Sequence, residues 1–310
     1  NNIKVPCLPM ENFFRNPEKT AFKFSPDGKY LSYLQPWKNR LNIYVEQIAD
    51  GSIVQITQVT ERDIAGYFWA NNSRIAYLKD TGGDEDFKLY AVNIDGTELK
   101  ELTPFPGVRT ELIDDLKDNE KEIIIGLNKR NPQFFDAYRV NVYTGEMDLI
   151  AENPGNISGW MTDHEGRLRV AVTTDGVNSS LLYRDQEGQP FRSLITTNFR
   201  DTIAPLQFTY DNQRLYVSSN LGRDLQAIYE YDPQLGKEVK LIYENSEVDV
   251  SVLLTSDKNK KITGVAYVTD KLHYYFFDRE REEIQQFLEK KLPGYEISIA
   301  SMNREEDKIL

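Results

Sequence analysis

The 310-residue sequence has one cysteine, Cys7, and two histidines, His164 and His273. A lone thiol excludes a disulfide framework within the chain and any cysteine-rich zinc site. The histidines fall in different repeats with no thiol partner, so no His-based metal site is expected and both read as structural or surface residues. No stretch approaches the roughly 20 apolar residues of a membrane span. Basic residues are in deficit, 37 Lys and Arg against 49 Asp and Glu, for a net charge of −12. That balance argues against a dedicated nucleic-acid binder and supplies no polybasic anchor for a membrane surface. No glycine loop for phosphate is present, and no cofactor or metal is expected. A serine nucleophile on a strained strand-to-helix turn needs Gly-x-Ser-x-Gly, and the chain has none. Gly155-Asn156-Ile157-Ser158-Gly159 has the wrong spacing and is expected in a loop between repeats. Helical patterning is sparse, with one short helix allowed over Pro9–Lys19. The chain opens Asn1-Asn2-Ile3, without an initiator Met or a charged-then-apolar leader. It therefore reads as processed or as part of something longer, with cytoplasm and periplasm both open.

What is present is a repeat. Tyr44, Tyr90, Tyr138, Tyr183, Tyr229 and Tyr275 follow one another at steps of 46, 48, 45, 46 and 46 residues. Each lies in a short strand-like segment. Most of these segments precede a turn such as Asp50-Gly51, Asp95-Gly96 or Thr144-Gly145, and a second apolar segment follows. Two apolar runs joined in this way read as a hairpin. A second hairpin precedes each one, turning at Ser25-Pro26-Asp27-Gly28, Asn71-Asn72, Lys117–Glu120, Asp163–Gly166, Asp211-Asn212, Ser256–Asn259 and Asn303–Glu306. Four short strands per unit of about 46 residues is the signature of a β-propeller blade. The expectation is an all-β, seven-bladed β-propeller of four-stranded blades with the last blade incomplete. It should have about 26 strands and about one tenth of its residues or fewer in helices. After an N-terminal segment, 1–20, the propeller occupies 21–310. Its blades run about 21–60, 61–107, 108–155, 156–200, 201–246 and 247–292, with a partial blade over 293–310. In this register Glu280–Lys291 becomes the turn and outer strand of the sixth blade, despite its helix-forming composition. The seventh copy stops in its second strand, at Lys308-Ile309-Leu310. The rest of that blade is expected either beyond Leu310 or, in part, from Asn1–Leu8. The repeated tyrosines read as packing residues between blades, with hydroxyls toward the wet outer edge.

Several segments resemble the propeller of the prolyl oligopeptidase family of serine peptidases, nearest its acylaminoacyl-peptidase and dipeptidyl-peptidase-like branch. They are Pro9–Glu18, Phe22–Leu31 with its Ser-Pro-Asp-Gly turn, Asp80-Thr81-Gly82-Gly83-Asp84-Glu85-Asp86, Asn128–Pro132 leading to Phe135-Asp136, and Ser219-Asn220-Leu221-Gly222-Arg223-Asp224. The resemblance covers nearly the whole chain. It implies a propeller that caps a C-terminal α/β-hydrolase domain of the same parent chain and restricts access to that domain's Ser-Asp-His triad. With no nucleophile elbow in these residues, no catalytic residue is assigned here.

In a propeller, the loops joining second and third strands leave on one face. Arg40, Asp84, Glu85, Arg130, Asp136, Arg223 and Asp224 lie in or beside those loops. They are the candidate substrate and interdomain face, although the same charges could simply brace adjacent blades. Asp80, Asp84 and Asp86 do not match a calcium loop and are expected to pair with arginines of neighbouring blades. Two functions follow as expectations. The first is a non-catalytic, substrate-gating propeller of a serine peptidase acting on short peptides, with peptide and hydrolase domain as partners. The second is a free-standing propeller used as a protein–protein scaffold, of the periplasmic translocation type.

Overall fold

A computed structural model describes residues 18–310. Among them lie six antiparallel sheets, over 20–55, 66–101, 110–151, 157–197, 203–243 and 252–276, with strands in each hydrogen-bonded in chain order. Five sheets have four strands and the sixth has three. The possible helix at Pro9–Lys19 and the possible strand at Asn1–Leu8 lie outside the described residues, apart from the end of the former.

The second strand of each sheet carries a run of at least three consecutive buried residues, mostly apolar. Ile123, Ile124 and Ile125 are all fully buried. Alternation is lost because both faces of such a strand are covered, which a short continuous apolar run signals. The cover is the neighbouring sheet. One core cluster joins Ile43 and Val45 of the first sheet to Trp69, Ile75 and Val92 of the second. A second joins Ala91 and Leu102 to Ile123, Ile125 and Val140. Others join the fourth sheet to the fifth and the fifth to the sixth. The apolar mass therefore sits between successive sheets, as in a propeller. Each buried Leu, Ile or Val contributes about 1.5–3 kcal/mol.

Several expectations are corrected. Residues Arg279–Lys291 form a helix, α1, not a turn and a fourth strand. Its residues are strong helix formers, Asp278 caps it by accepting from the Arg281 amide, and Glu280 and Glu282 open it while Lys290 and Lys291 close it. Local preference and a good cap outweighed the repeat register. The described residues accordingly contain 23 strands and one 13-residue helix. The chain then runs back beside the third strand of the sixth sheet, where Tyr274 donates to the Ile297 carbonyl. Ser158 lies in a strand, Ile157–Thr162, rather than in a loop. Of the repeated tyrosines, Tyr183 packs between sheets as expected, against Phe208 and Leu215 of the fifth, but other contacts differ. Tyr44 and Tyr90 stack on Tyr33 and Tyr77, the residues directly opposite them in their own sheets. Tyr183 is fully buried, its hydroxyl held by Arg169 instead of reaching water.

The turns after the first strands meet in a closed ring. The Asp27 amide donates to Asn72, and Asn71 donates to the Glu120 carbonyl. Thr162 donates to Asp114, and the His164 amide to Asn212. Tyr210 donates to Asp257, and Ser256 to Glu306. The Arg304 amide returns to the Pro26 carbonyl, 2.8 Å away. The seventh turn belongs to a hairpin over 300–310, held by the Met302–Ile309 bridge and by amide–carbonyl bonds between 300–301 and Leu310. Gly28 shows how tightly the ring closes. Its φ is +69°, and a Cβ there would come within 2.8 Å of Asn303 Nδ2. Two contacts cross the ring, both at Lys117. Lys117 of the third turn pairs with Asp257 of the sixth at 2.5 Å, and Arg304 donates to the Lys117 carbonyl.

Candidate functional site

In an antiparallel meander the first and third turns leave at one end of the sheet and the second at the other. Because the first turns of all six sheets share the ring, the loops joining second and third strands share the opposite face, together with the connections between sheets. These loops differ in build. In the first sheet the loop is two residues, Lys38 and Asn39, both at positive φ, as a tight hairpin requires. In the second sheet it is the longer stretch 80–87.

The seven sequence-derived residues divide into two sets. Arg130, Asp136 and Arg223 are held in ion pairs. Arg130 forks onto both Asp136 oxygens at 3.0 and 2.9 Å and donates a further bond to the Asn153 carbonyl. Asp136 is fully buried and also accepts from the Asn153 amide at 2.6 Å. The pair thus ties the third sheet to the connection leading into the fourth. Hydrogen bonding to Asp136 raises the Arg130 pKa above its ordinary value. Arg223 makes a similar fork onto Glu238 and covers the Tyr229 ring at 4.1 Å.

Arg40, Asp84, Glu85 and Asp224 form the second set. Arg40 is half-buried, with only a long contact to the Asn39 carbonyl. Asp84 is exposed, and its carboxylate accepts from two amides of its own loop, Thr81 at 3.3 Å and Asp86 at 3.1 Å. Glu85 is exposed at φ +60°, a left-handed conformation that costs a non-glycine residue about 1 kcal/mol or more. Asp224 is exposed beside the locked Arg223. None of these four is in an ion pair among the described residues. The structure does not pair them with each other.

The acidic cluster of the second loop is likewise split. Asp80 is buried and paired with Arg62 at 3.1 Å, and hydrogen bonding from Arg62 lowers its pKa. Asp84 and Asp86 form no salt bridge among the described residues, although the charge of Asp84 acts on Arg62. Arg62 was not singled out by sequence because only the loops within blades were considered. It lies on the connection between the first and second sheets, which emerges on the same face, and its guanidinium sits 3.6 Å from where a Cβ on Gly83 would be. Gly83 leaves that space open. Among the described residues no three His, Cys, Asp or Glu side chains are grouped to hold a metal ion, and no helix is long and apolar enough to cross a membrane. His164 and His273 are far apart in their roles. The first is stacked on Tyr210 and bonded to the Phe208 carbonyl, and the second is bonded to Thr269.

No family model matches the chain. It is 32% identical over 264 residues to dipeptidyl aminopeptidase BIII of Pseudoxanthomonas mexicana, covering 82% of this chain and 37% of that protein. It is 23% identical to dipeptidyl peptidase family member 6 of Caenorhabditis elegans, covering 96% of this chain and 43% of the relative. The chain thus spans well under half the length of these curated relatives. Among solved structures, a prolyl endopeptidase superposes with a TM-score of 0.59 at 13% identity, covering 84% of this chain and 41% of the other; at that identity the likeness shows the fold. The chain is a β-propeller of the prolyl oligopeptidase family of serine peptidases, homologous to part of the dipeptidyl aminopeptidases.

Proposed function

We propose that this propeller selects short peptides for a serine peptidase and contributes no catalytic group of its own. The observation that carries the reading is the exposed pair Asp84 and Glu85, which form no salt bridge among the described residues, in a chain 32% identical to a dipeptidyl aminopeptidase. The bond-breaking groups belong, on this reading, to an α/β-hydrolase domain of the parent protein, which carries the serine, the base and its orienting acid. The propeller acts by exclusion and by charge. Seven positions around the axis, with the boundaries drawn from the sequence repeat, leave only small substrates able to reach the neighbouring domain.

A free peptide α-amino group has a pKa near about 8 and is largely cationic at neutral pH. Paired carboxylates on a fixed loop are suited to receive it. At about 4 Å each contact is worth only about 1 kcal/mol in bulk water and several times more once the peptide excludes water. The contact holds the amino end and so sets how far along the peptide the scissile bond lies. The strained φ of Glu85 fits a side chain that is positioned for a ligand rather than for stability.

The test is Asp84→Ala with Glu85→Ala in the full-length peptidase that bears this chain. Cleavage of peptides with a free amino terminus should lose about tenfold in kcat/KM, mostly through KM, the equivalent of about 1.4 kcal/mol. N-acetylated analogues should be unaffected. Equal loss on both substrate types, or none on either, overturns the reading. Labelling of any serine of the isolated 310-residue chain by a fluorophosphonate probe would overturn its non-catalytic part.

A further inference from the structure

The loop face has a second feature, away from Asp84 and Glu85. Between the fifth and sixth sheets lies a pocket of about 460 Å3, its apolar wall formed by Leu225, Val248, Val252, Tyr267, Val268 and Leu272. That volume falls within the range of small-ligand sites. Val252 and Val268, on adjacent strands of the sixth sheet, are 49% and 61% exposed. Tyr267 is held in place by stacking on Tyr243 and His273.

The rim is acidic. Glu247 and Asp249 line the pocket, and Asp224 lies next to Leu225. Asp249 accepts only the Gln226 amide, at 2.7 Å, and Glu247 and Asp224 make no side-chain hydrogen bond or ion pair among the described residues. Arg223 is not available to neutralise them, because both its terminal nitrogens are on Glu238. Lys271 sits over the sixth-sheet loop beside Asp270. Elsewhere on this face the chain supplies its own cover. On the connection between the second and third sheets, Phe105 lies under the Lys129 ammonium at 3.9 Å. Among the described residues no Lys or Arg lines the pocket between the fifth and sixth sheets.

We infer that this pocket binds a peptide segment in which an apolar side chain is followed by a lysine or arginine. The apolar side chain packs on Val252 and Val268 of the sixth sheet, facing Leu225 and Val248, and the cationic head lies over the carboxylate rim. The apolar wall gives contact area and the carboxylates give charge selection, since a like-charged peptide is repelled. The pocket shares the face that the preceding section assigns to peptide, but binding here does not depend on that assignment.

The probe is N-acetyl-Leu-Lys-Leu-Lys with a C-terminal fluorescein, titrated with the 310-residue chain at low ionic strength and followed by anisotropy. Acetylation removes the α-ammonium, so the Asp84–Glu85 contact plays no part. Saturable binding is expected, weakened about tenfold or more by Glu247→Gln with Asp249→Asn, and similarly by Val252→Ser with Val268→Ser. The Asn at 249 keeps an acceptor for Gln226, and both valines are already solvent-facing, so the variants should fold; unchanged circular dichroism checks this. Asp84→Ala with Glu85→Ala should leave binding intact. The inference is overturned by absence of saturable binding, by indifference to both pocket variants, or by equal binding of N-acetyl-Leu-Glu-Leu-Glu.

Discussion

The two faces of the propeller are made from the same repeat and hold their charges in opposite ways. On the turn face the polar groups are spent on each other. Asp163 is buried and takes bonds from the Glu165 and Arg167 amides and from the Arg167 and Arg169 side chains. Arg74, 1% exposed, donates to Val142, Asn93 and Glu98 and so joins the second sheet to the third. On the loop face, buried braces such as Arg130–Asp136 stand beside carboxylates with no basic partner. On the proposed function, the difference separates structure from recognition. A buried, multiply bonded charge is costly to remove, whereas an exposed unpaired one contributes little to stability and is free to meet a ligand.

The strongest way to break that contrast is on the turn face. Asp163→Ala strands Arg169 in the interior and should cost about 3–5 kcal/mol in urea unfolding. A smaller loss would mean that the ring of turns is not a stabilising unit. On the loop face, Asp136→Ala removes the acceptor of both Arg130 and the Asn153 amide and should cost about 2–3 kcal/mol. If it is neutral, Arg130 and Asp136 belong with the recognition residues after all. Next in size is the helix that departs from the repeat. Asp278→Ala removes its cap and should cost about 1 kcal/mol, seen as faster amide exchange at the start of α1.

A pH titration sharpens the comparison further. Burial would raise the Asp257 carboxyl, but Lys117 and Tyr210 hold it below its usual range. An acid with a lower pKa in the folded state adds stability above its unfolded value of about 3.9, and that stability is lost as pH falls through the folded value. Asp257→Asn should therefore flatten the acid limb of the melting temperature below about pH 4. Asp115 acts in the opposite sense, because burial raises it. The smallest stability effect is expected for Asp84→Ala with Glu85→Ala, within about 0.5 kcal/mol of the parent. A clear loss of stability there would return these residues to the bracing role.

Much of the architecture was legible because it is written locally. Asp, Asn and Ser at turn entries bond the amide two residues on, as Asp27 does for Lys29, Asn71 for Ser73 and Asp211 for Gln213. Such turns recur whatever surrounds them, so the period of about 46 residues shows in the sequence. The helix at Arg279–Lys291 escaped because register was ranked above composition. Its acidic first turn and basic last turn were the available signal. Of the candidate site, only the face was legible. Whether Arg130 is a ligand-binding cation or a brace depends on Asn153, which sits 23 residues away and whose position follows from how the next sheet packs.

Turn chemistry, apolar strand cores and their spacing were thus determined by the sequence alone, since each depends on residues a few positions apart. Tertiary structure decided which charges are free. The ring closes through Arg304 and Pro26, and Lys117 meets Asp257 140 residues further on and Arg304 187 residues away. Local composition cannot encode such distances. They follow from stacking twisted sheets about one axis, and the same stacking leaves the junction of the fifth and sixth sheets open at the loop face.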